Sequence, residues 1–361
     1  MLNKETYVFI TEIGKDYVAK VIDYKLGATN DSIGIQVPEI ELTSRFRRYI
    51  IKKLIARNTF NGYRLVNYLQ RNYSSRKFKL GINKGQDALN ERCVTNLIYR
   101  YSPCAIITNS YTTIPGLVRI LKKVGVGTQL FVCADEFTIN KNFVNEDVSH
   151  YFVDNISVRN FLIENGVYAE RIDVNPIPVT DRYFKPYSKE SICDKLGFPK
   201  GLPVVLINAT RVKDKNMKSL IDFAADNPMI ATFVVAAGQN DSIFDYANSK
   251  NVKVFGPNGD QKELIGAADI VVTRPNTVLI KQSSAMKTPV VMIDPLGTRE
   301  NMNAEFLVNN EKAYLANDLG ELRTIIERLI TGTLKPRFDT VDKYSAEKIA
   351  TKMREIINST K

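Results

Sequence analysis

Short apolar runs rich in β-branched and aromatic residues recur along this chain. Each is followed by a polar or Gly/Pro-bearing turn and then by a stretch with helical spacing. Residues 270–272 (IVV) predict a buried parallel strand, and 273–277 (TRPNT) interrupt it with turn chemistry. Residues 278–286 resume at helical spacing with Ala285 and Met286 inward; Pro289 stops that helix, and 290–293 (VVMI) form the next strand. Strand, loop, helix and strand make a βαβ unit. Its loop sits at the carboxyl end of the first strand, where open α/β sheets bind ligands. The helix start behind it offers N–H groups and a positive dipole end, which suits a phosphate. An ordinary βαβ unit with an unremarkable loop fits the same periodicity.

The rest of the chain repeats the pattern. Strands are expected at 7–10, 103–108, 129–133, 172–174, 204–207, 233–236 and 252–255. Helices are expected at 114–124, 217–225, 261–267, 319–331 and 345–358, with Gly166 ending a further helix. Lys-Pro, Phe-Pro and Gly-Leu-Pro punctuation marks 185–203 as a linker. The first strand leads into 11–16 (TEIGKD), whose single glycine, Gly14, reads as a plain turn residue rather than a diphosphate cradle.

The length of 361 residues suits two domains, and 44% hydrophobic residues are enough for full cores. No apolar run approaches the length of a membrane-spanning helix, and 1–17 lack the apolar centre of a signal peptide. Cys93, Cys104, Cys133 and Cys193 have neither zinc nor redox spacing and read as reduced core cysteines in a cytosolic protein. Charge changes the picture at one place. Residues 44–80 hold Arg45, Arg47, Arg48, Lys52, Lys53, Arg57 and five further cations without an Asp or Glu, which equals the net charge of +11. Apolar and aromatic residues, among them Phe46, Ile50, Leu54, Tyr63 and Tyr68, are interleaved. Three readings stay open: a basic amphipathic surface for anionic lipid, a nucleic-acid surface, and a solvated basic face whose apolar side packs on the core.

Several segments together resemble the GT-B glycosyltransferases, above all the diacylglycerol glycosyltransferases and the peptidoglycan lipid-intermediate N-acetylglucosaminyltransferase. Ala268-Asp269 and Pro275 match the donor-site segment of those families, and Arg274 stands in the place of a Lys. Asn276 and Thr277 replace two glycines, Leu279 a Thr, and Gln282 the Glu that grips the donor ribose. Gly297, Glu300 and Asn303 match the following segment if one residue is inserted. Residues 134–137 (ADEF) resemble an acceptor-side segment whose His falls at Asn140; His150 is ten residues away. Ile177-Pro178-Val179 and Phe184 match the end of the family's first domain. Residues 208–216 (NATRVKDKN) look more like the retaining GT-B enzymes, where an Arg and a Lys clamp the donor diphosphate.

The resemblance covers about 100–331 and implies an α/β fold of two Rossmann-like domains facing a cleft. The acceptor-side domain is expected at 1–184, the linker at 185–203, the nucleotide-sugar domain at 204–335, and a C-terminal helix crossing back to the first domain at 336–361. It implies transfer of a sugar from a nucleotide-sugar, with UDP preferred, to an acceptor, and needs no essential metal and no cofactor. Arg211 and Lys215 are expected on phosphate, Arg274, Asn276 and Thr277 at the pyrophosphate loop, and Gln282, Glu300 and Asn303 near ribose or sugar. Asp135 and Glu136 would act as base or bind an acceptor hydroxyl; an N-cap and a solvated acid explain them as well. In these families the region matching the basic segment faces the membrane, so a lipid acceptor and a peripheral place on the inner face of the membrane are expected. A glycosyltransferase of modified DNA bases and a degenerate GT-B binding protein are the alternatives, the second favoured by the missing His, Glu and glycines. Oligomeric state, donor sugar and anomeric outcome are not legible.

Overall fold

The computed structural model describes residues 5–12, 15–28, 32–43, 89–208, 212, 214–238, 240–250 and 252–360. The basic segment, with Arg45, Arg47, Arg48, Lys52, Lys53 and Arg57, lies outside the described residues, as do Gly14 and Arg211. The chain divides into two compact units, Met1–Pro178 with Asp342–Lys361, and Val179–Val341.

The first unit is a six-stranded sheet in the order β2-β1-β3-β4-β5-β6. Its strands are β1 (Glu5–Thr11), β2 (Ser32–Pro38), β3 (Ala105–Thr108), β4 (Gln129–Ala134), β5 (His150–Val153) and β6 (Ile172–Val174). Every pairing is parallel, with Ile10 opposite Thr108 and Thr108 opposite Val132. Tyr7, Val8, Phe9 and Ile10 are all buried, so side chains on both faces are covered. That explains why β1 reads as a continuous apolar run rather than an alternating one. Helices α1 (Tyr17–Gly27), α2 (Glu91–Tyr101), α3 (Ile114–Val124) and α4 (Ile156–Glu164) connect the strands. Helix α4 stops where Gly166 takes a φ of 98°, a conformation that costs glycine little.

The second unit is again all parallel, in the order β12-β11-β10-β7-β8-β9. In chain order its elements are α5 (Lys189–Leu196), β7 (Val204–Asn208), α6 (Asp214–Asp226), β8 (Thr232–Ala236), α7 (Asp241–Ser249), β9 (Lys253–Phe255), α8 (Gln261–Ala267), β10 (Ile270–Thr273), α9 (Thr277–Ala285), β11 (Val290–Ile293), α10 (Gly297–Asn309), β12 (Tyr314–Ala316) and α11 (Leu319–Ile330). Two boundaries differ from the punctuation in the sequence. The segment 185–203 carries α5, capped by the Ser188 side chain, and belongs to the second unit. The division itself falls after Pro178, within the Ile-Pro-Val segment.

The last helix, α12 (Ser345–Ser359), belongs to the first unit. It buries Ala346, Ile349, Ala350, Met353 and Ile357, spaced along one face, and packs against α1. Arg354 Nη2 donates to the Leu26 carbonyl at 2.7 Å, closing the C-terminal end of α1. No described helix is long and apolar enough to cross a membrane.

Candidate functional site

Each strand order contains one reversal. In the first unit the chain runs from β1 to β2 on one side and then sets β3 on the other side of β1. In the second it runs from β7 through β9 and then sets β10 on the other side of β7. The connections diverge at such a point and leave a crevice outside the carboxyl ends of the two central strands. Candidate residues gather at both.

At the first switch point, Asn109 follows β3 and Glu12 follows β1. The Glu12 N–H donates to Asn109 Oδ1 at 3.0 Å, and Asn109 Nδ2 donates to the Lys15 carbonyl at 2.8 Å. The same Nδ2 donates to Asp135 Oδ2 at 2.9 Å, across to the end of β4. Asp135 is only 4% exposed, and among the described residues its Oδ1 meets no hydrogen-bond partner. Burial pushes its carboxyl up to about 6; the Lys15 ammonium and the Asn109 hydrogen bond pull down, and Glu136 and Glu12 push up. Glu136 is equally buried but forms a close ion pair with Lys15, which also lies 3.5 Å from Glu12. The two neighbouring acids therefore differ. Glu136 has a cation committed to it, whereas Asp135 has one oxygen held by a neutral amide and one without a partner. Neither is the N-cap of a described helix.

One strand further out, Glu39 follows β2 and accepts from Ser110 Oγ at 2.5 Å and Thr112 Oγ1 at 3.0 Å. Asn140, in the place of the family's His, is exposed and caps a short 3-10 turn by accepting from the Asn142 N–H. His150 opens β5 at the amino end of the sheet and lies 3.1 Å from Asp173 on β6. Asp135 follows β4 at its carboxyl end, so the two are at opposite ends of neighbouring parallel strands.

At the second switch point, Arg274 follows β10 and is 3% exposed. Its Nη2 lies 2.5 Å from Glu300 Oε2 on α10, and the same oxygen accepts the Leu296 N–H at 2.8 Å. Asn276 is exposed and caps α9 through the Leu279 N–H at 3.1 Å, so one of the amides expected to greet a phosphate is already occupied. Thr277 opens the helix, and Gln282 lies inside it, 4% exposed. Asn303 on α10 is 1% exposed. Lys215 lies exposed in the first turn of α6. Thus Arg274 and Glu300 are brought together at the end of β10, while Arg211 lies outside the described residues. Asp269, part of the matched Ala-Asp pair, sits at the amino end of β10, where it accepts the Val204 N–H at 2.8 Å and pairs with Lys189.

No family model matches the chain. It is 24% identical over 237 residues to a processive diacylglycerol beta-glucosyltransferase of Bacillus cereus, covering 64% of this chain and 61% of that relative. The match thus spans less than two thirds of the relative's length. Among solved structures, Anabaena HepE in complex with UDP and glucose superposes with a TM-score of 0.53 at 15% identity, covering 98% of both chains. The fold is GT-B. The UDP-GlcNAc 2-epimerase of Neisseria meningitidis, solved with UDP-GlcNAc, superposes with a TM-score of 0.60 at 11% identity, covering 97% of this chain and all of the other. The GT-B fold by itself therefore does not fix the reaction.

The sequence signals led to Asp135, Glu136, Arg274 and Glu300. They did not lead to Asn109 or Lys15. Both are hydrophilic residues in turns after strands, and only the tertiary bonds distinguish them. The one available pointer was position: Asn109 immediately follows β3, and Lys15 lies four residues past β1.

Proposed function

We propose that this protein transfers a sugar from a nucleotide-sugar, with a UDP-sugar as donor, to a hydroxyl of a membrane lipid. The observation that carries the reading is Asp135: a buried carboxylate one strand from the first switch point and tied to it by Asn109, tuned to about 6, with one oxygen fixed and the other without a partner among the described residues. A general base needs this combination of charge near neutral pH, defined orientation and a lone pair left for a proton. As the acceptor oxygen attacks the anomeric carbon, Asp135 Oδ1 takes the hydroxyl proton and the nucleoside diphosphate departs with the bonding electrons.

The second unit binds the donor in this account. Arg274, with Lys215 and Arg211, faces the diphosphate and neutralises the charge that grows on the leaving group. Asn276 and Thr277 form the loop beneath it, and Gln282, Glu300 and Asn303 serve ribose or sugar hydroxyls. Glu136, held by Lys15, lies beside Asp135 on the acceptor side and does not take the proton. The similarity to a diacylglycerol glucosyltransferase supports a lipid acceptor, and the UDP-bound HepE supports a uridine donor. The cations of 44–80 dock the protein on the anionic inner face of the membrane.

A thermal-shift screen with UDP-, GDP-, ADP- and TDP-sugars tests the donor half, because a ligand that binds only the folded chain raises its melting point. A shift with UDP-sugars and none with the others supports the reading. No shift with any nucleotide, together with flat calorimetry, contradicts it.

A further inference from the structure

We infer that Asn109 is the positioning residue of the acceptor site: it fixes the plane of the Asp135 carboxylate and couples it to the segment between β1 and α1. The inference rests on the reading of Asp135 as the acceptor-side base.

The side-chain amide of Asn109 makes three bonds, and two of them set its orientation. Oδ1 accepts from a backbone N–H, that of Glu12, and Nδ2 donates to a backbone carbonyl, that of Lys15. A flipped amide would oppose oxygen to oxygen and N–H to N–H, so the network allows one orientation only. The remaining Nδ2 proton is thereby aimed at Asp135 Oδ2. Asn109 is 6% exposed, so water does not compete strongly for these groups. With Oδ2 anchored, Oδ1 is the carboxylate oxygen that makes no hydrogen bond among the described residues. The two backbone anchors lie in the chain between β1 and α1, which also carries Lys15, the cation paired with Glu136. A movement of that segment would reach Asp135 through Asn109 and Glu136 through Lys15.

The groups facing Asp135 are Lys15 and Glu12 from the β1–α1 segment, Glu136 and the Cys133 thiol from its own strand end, and Asn109 just past β3. Of these, Asn109 is neutral and donates to the charged form. Its loss should therefore raise the pH at which Asp135 ionises. A purely structural Asn109 would lower stability on removal and leave that pH unchanged once the variant is folded.

The test follows the Asp135 carboxyl by 13C NMR titration in the wild type, Asn109→Ser and Asn109→Asp, beside the pH profile of transfer from UDP-glucose to diacylglycerol vesicles. Asn109→Ser should move the Asp135 midpoint up by roughly half to one pH unit, and Asn109→Asp further, because it sets a carboxylate against a carboxylate. The acid limb of the rate should move with the midpoint, and UDP-glucose affinity should change less than about twofold, since the donor is bound elsewhere. An unmoved midpoint in folded variants overturns the inference. If neither variant folds, the wild type still decides: the Asn109 side-chain NH2 resonances must titrate with the Asp135 midpoint, and their indifference overturns it. A moved midpoint combined with full turnover in Asp135→Asn leaves the positioning intact and removes the base reading instead.

Discussion

Arg274 Nη2 and Glu300 Oε2 lie 2.5 Å apart, joining the end of β10 to the first turn of α10. The pair holds the guanidinium at the switch point of the second sheet. Arginine suits both partners, since its planar fork matches a carboxylate and a phosphate equally well. Replacing Arg274 by Ala should weaken UDP-sugar binding by roughly 1–3 kcal/mol, the range for hydrogen bonds to charged groups, and should barely affect free uridine. Lys215→Ala and Arg211→Ala should each cost a similar amount. Isothermal titration with UDP-glucose and with uridine separates the two contributions. Equal losses for both ligands would show that Arg274 does not serve the diphosphate.

Asp135 gives a prediction about stability as well as activity. Its folded carboxyl is raised from 3.8 to about 6 by burial, so the folded state binds the proton more tightly than the unfolded chain. Its favourable contribution is complete below pH 3.8 and is lost as the pH rises through about 6. Asp135→Asn should therefore gain stability relative to wild type as the pH rises from 4 to 8, by up to about 3 kcal/mol from the size of that shift. Urea unfolding at the two pH values checks this. A gain at pH 4 that disappears at pH 8 would mean that Asp135 is stabilised as a charge, contrary to the account.

Lys281, fully buried on α9, lies 2.5 Å from Asp339 and donates to the Thr340 carbonyl at 2.7 Å. Lys312 reaches the other Asp339 oxygen at 2.7 Å, and the Asp339 N–H donates to Ser284 Oγ at 2.9 Å. These bonds fix the chain that leaves the second unit for α12. Lys281→Met should cost about 3–5 kcal/mol, because it leaves a buried charge with a single, partly exposed partner. Denaturant titration gives the value; a loss below about 1 kcal/mol would mean that water replaces the ammonium at Asp339.

The basic segment separates lipid from nucleic acid as partner. Each cation near an anionic bilayer is worth about 1 kcal/mol, so Arg47→Glu, Arg48→Glu and Lys52→Glu together should abolish co-sedimentation with anionic vesicles. Tight DNA binding without vesicle binding, at the same salt, would favour the DNA reading instead.

Much of the fold was legible because the central strands are apolar on both faces. Residues 290–293 announce themselves by a β-branched and apolar run, and the strand found there has those limits. The edge strand β2 was not legible: it is largely half-exposed, contains Gly34 and ends in Pro38, so its pattern resembles a loop. Helix α5 was hidden by the prolines and glycines around it. The site divides in the same way. Arg274 and Asp135 follow readable strands, so chain position exposed them. Asn109 stands in an equivalent place, but its role lies in bonds to residues 26 and more than 90 positions away, and no local spacing encodes those. Nothing local marks Lys281 as buried and paired, since its partner Asp339 is 58 residues further on.

The most direct measurement is transfer of labelled glucose from UDP-glucose to diacylglycerol in anionic vesicles by wild type, Asp135→Asn and Glu136→Gln, with UDP-glucose affinity measured on the same samples. Wild type should transfer glucose, with an acid limb near the Asp135 value of about 6. Asp135→Asn should lose roughly a hundredfold or more in turnover, in line with loss of a general base, with donor affinity nearly intact. Glu136→Gln should lose less. Wild-type transfer that persists undiminished in Asp135→Asn, or UDP-glucose binding without transfer to any lipid hydroxyl, would contradict it.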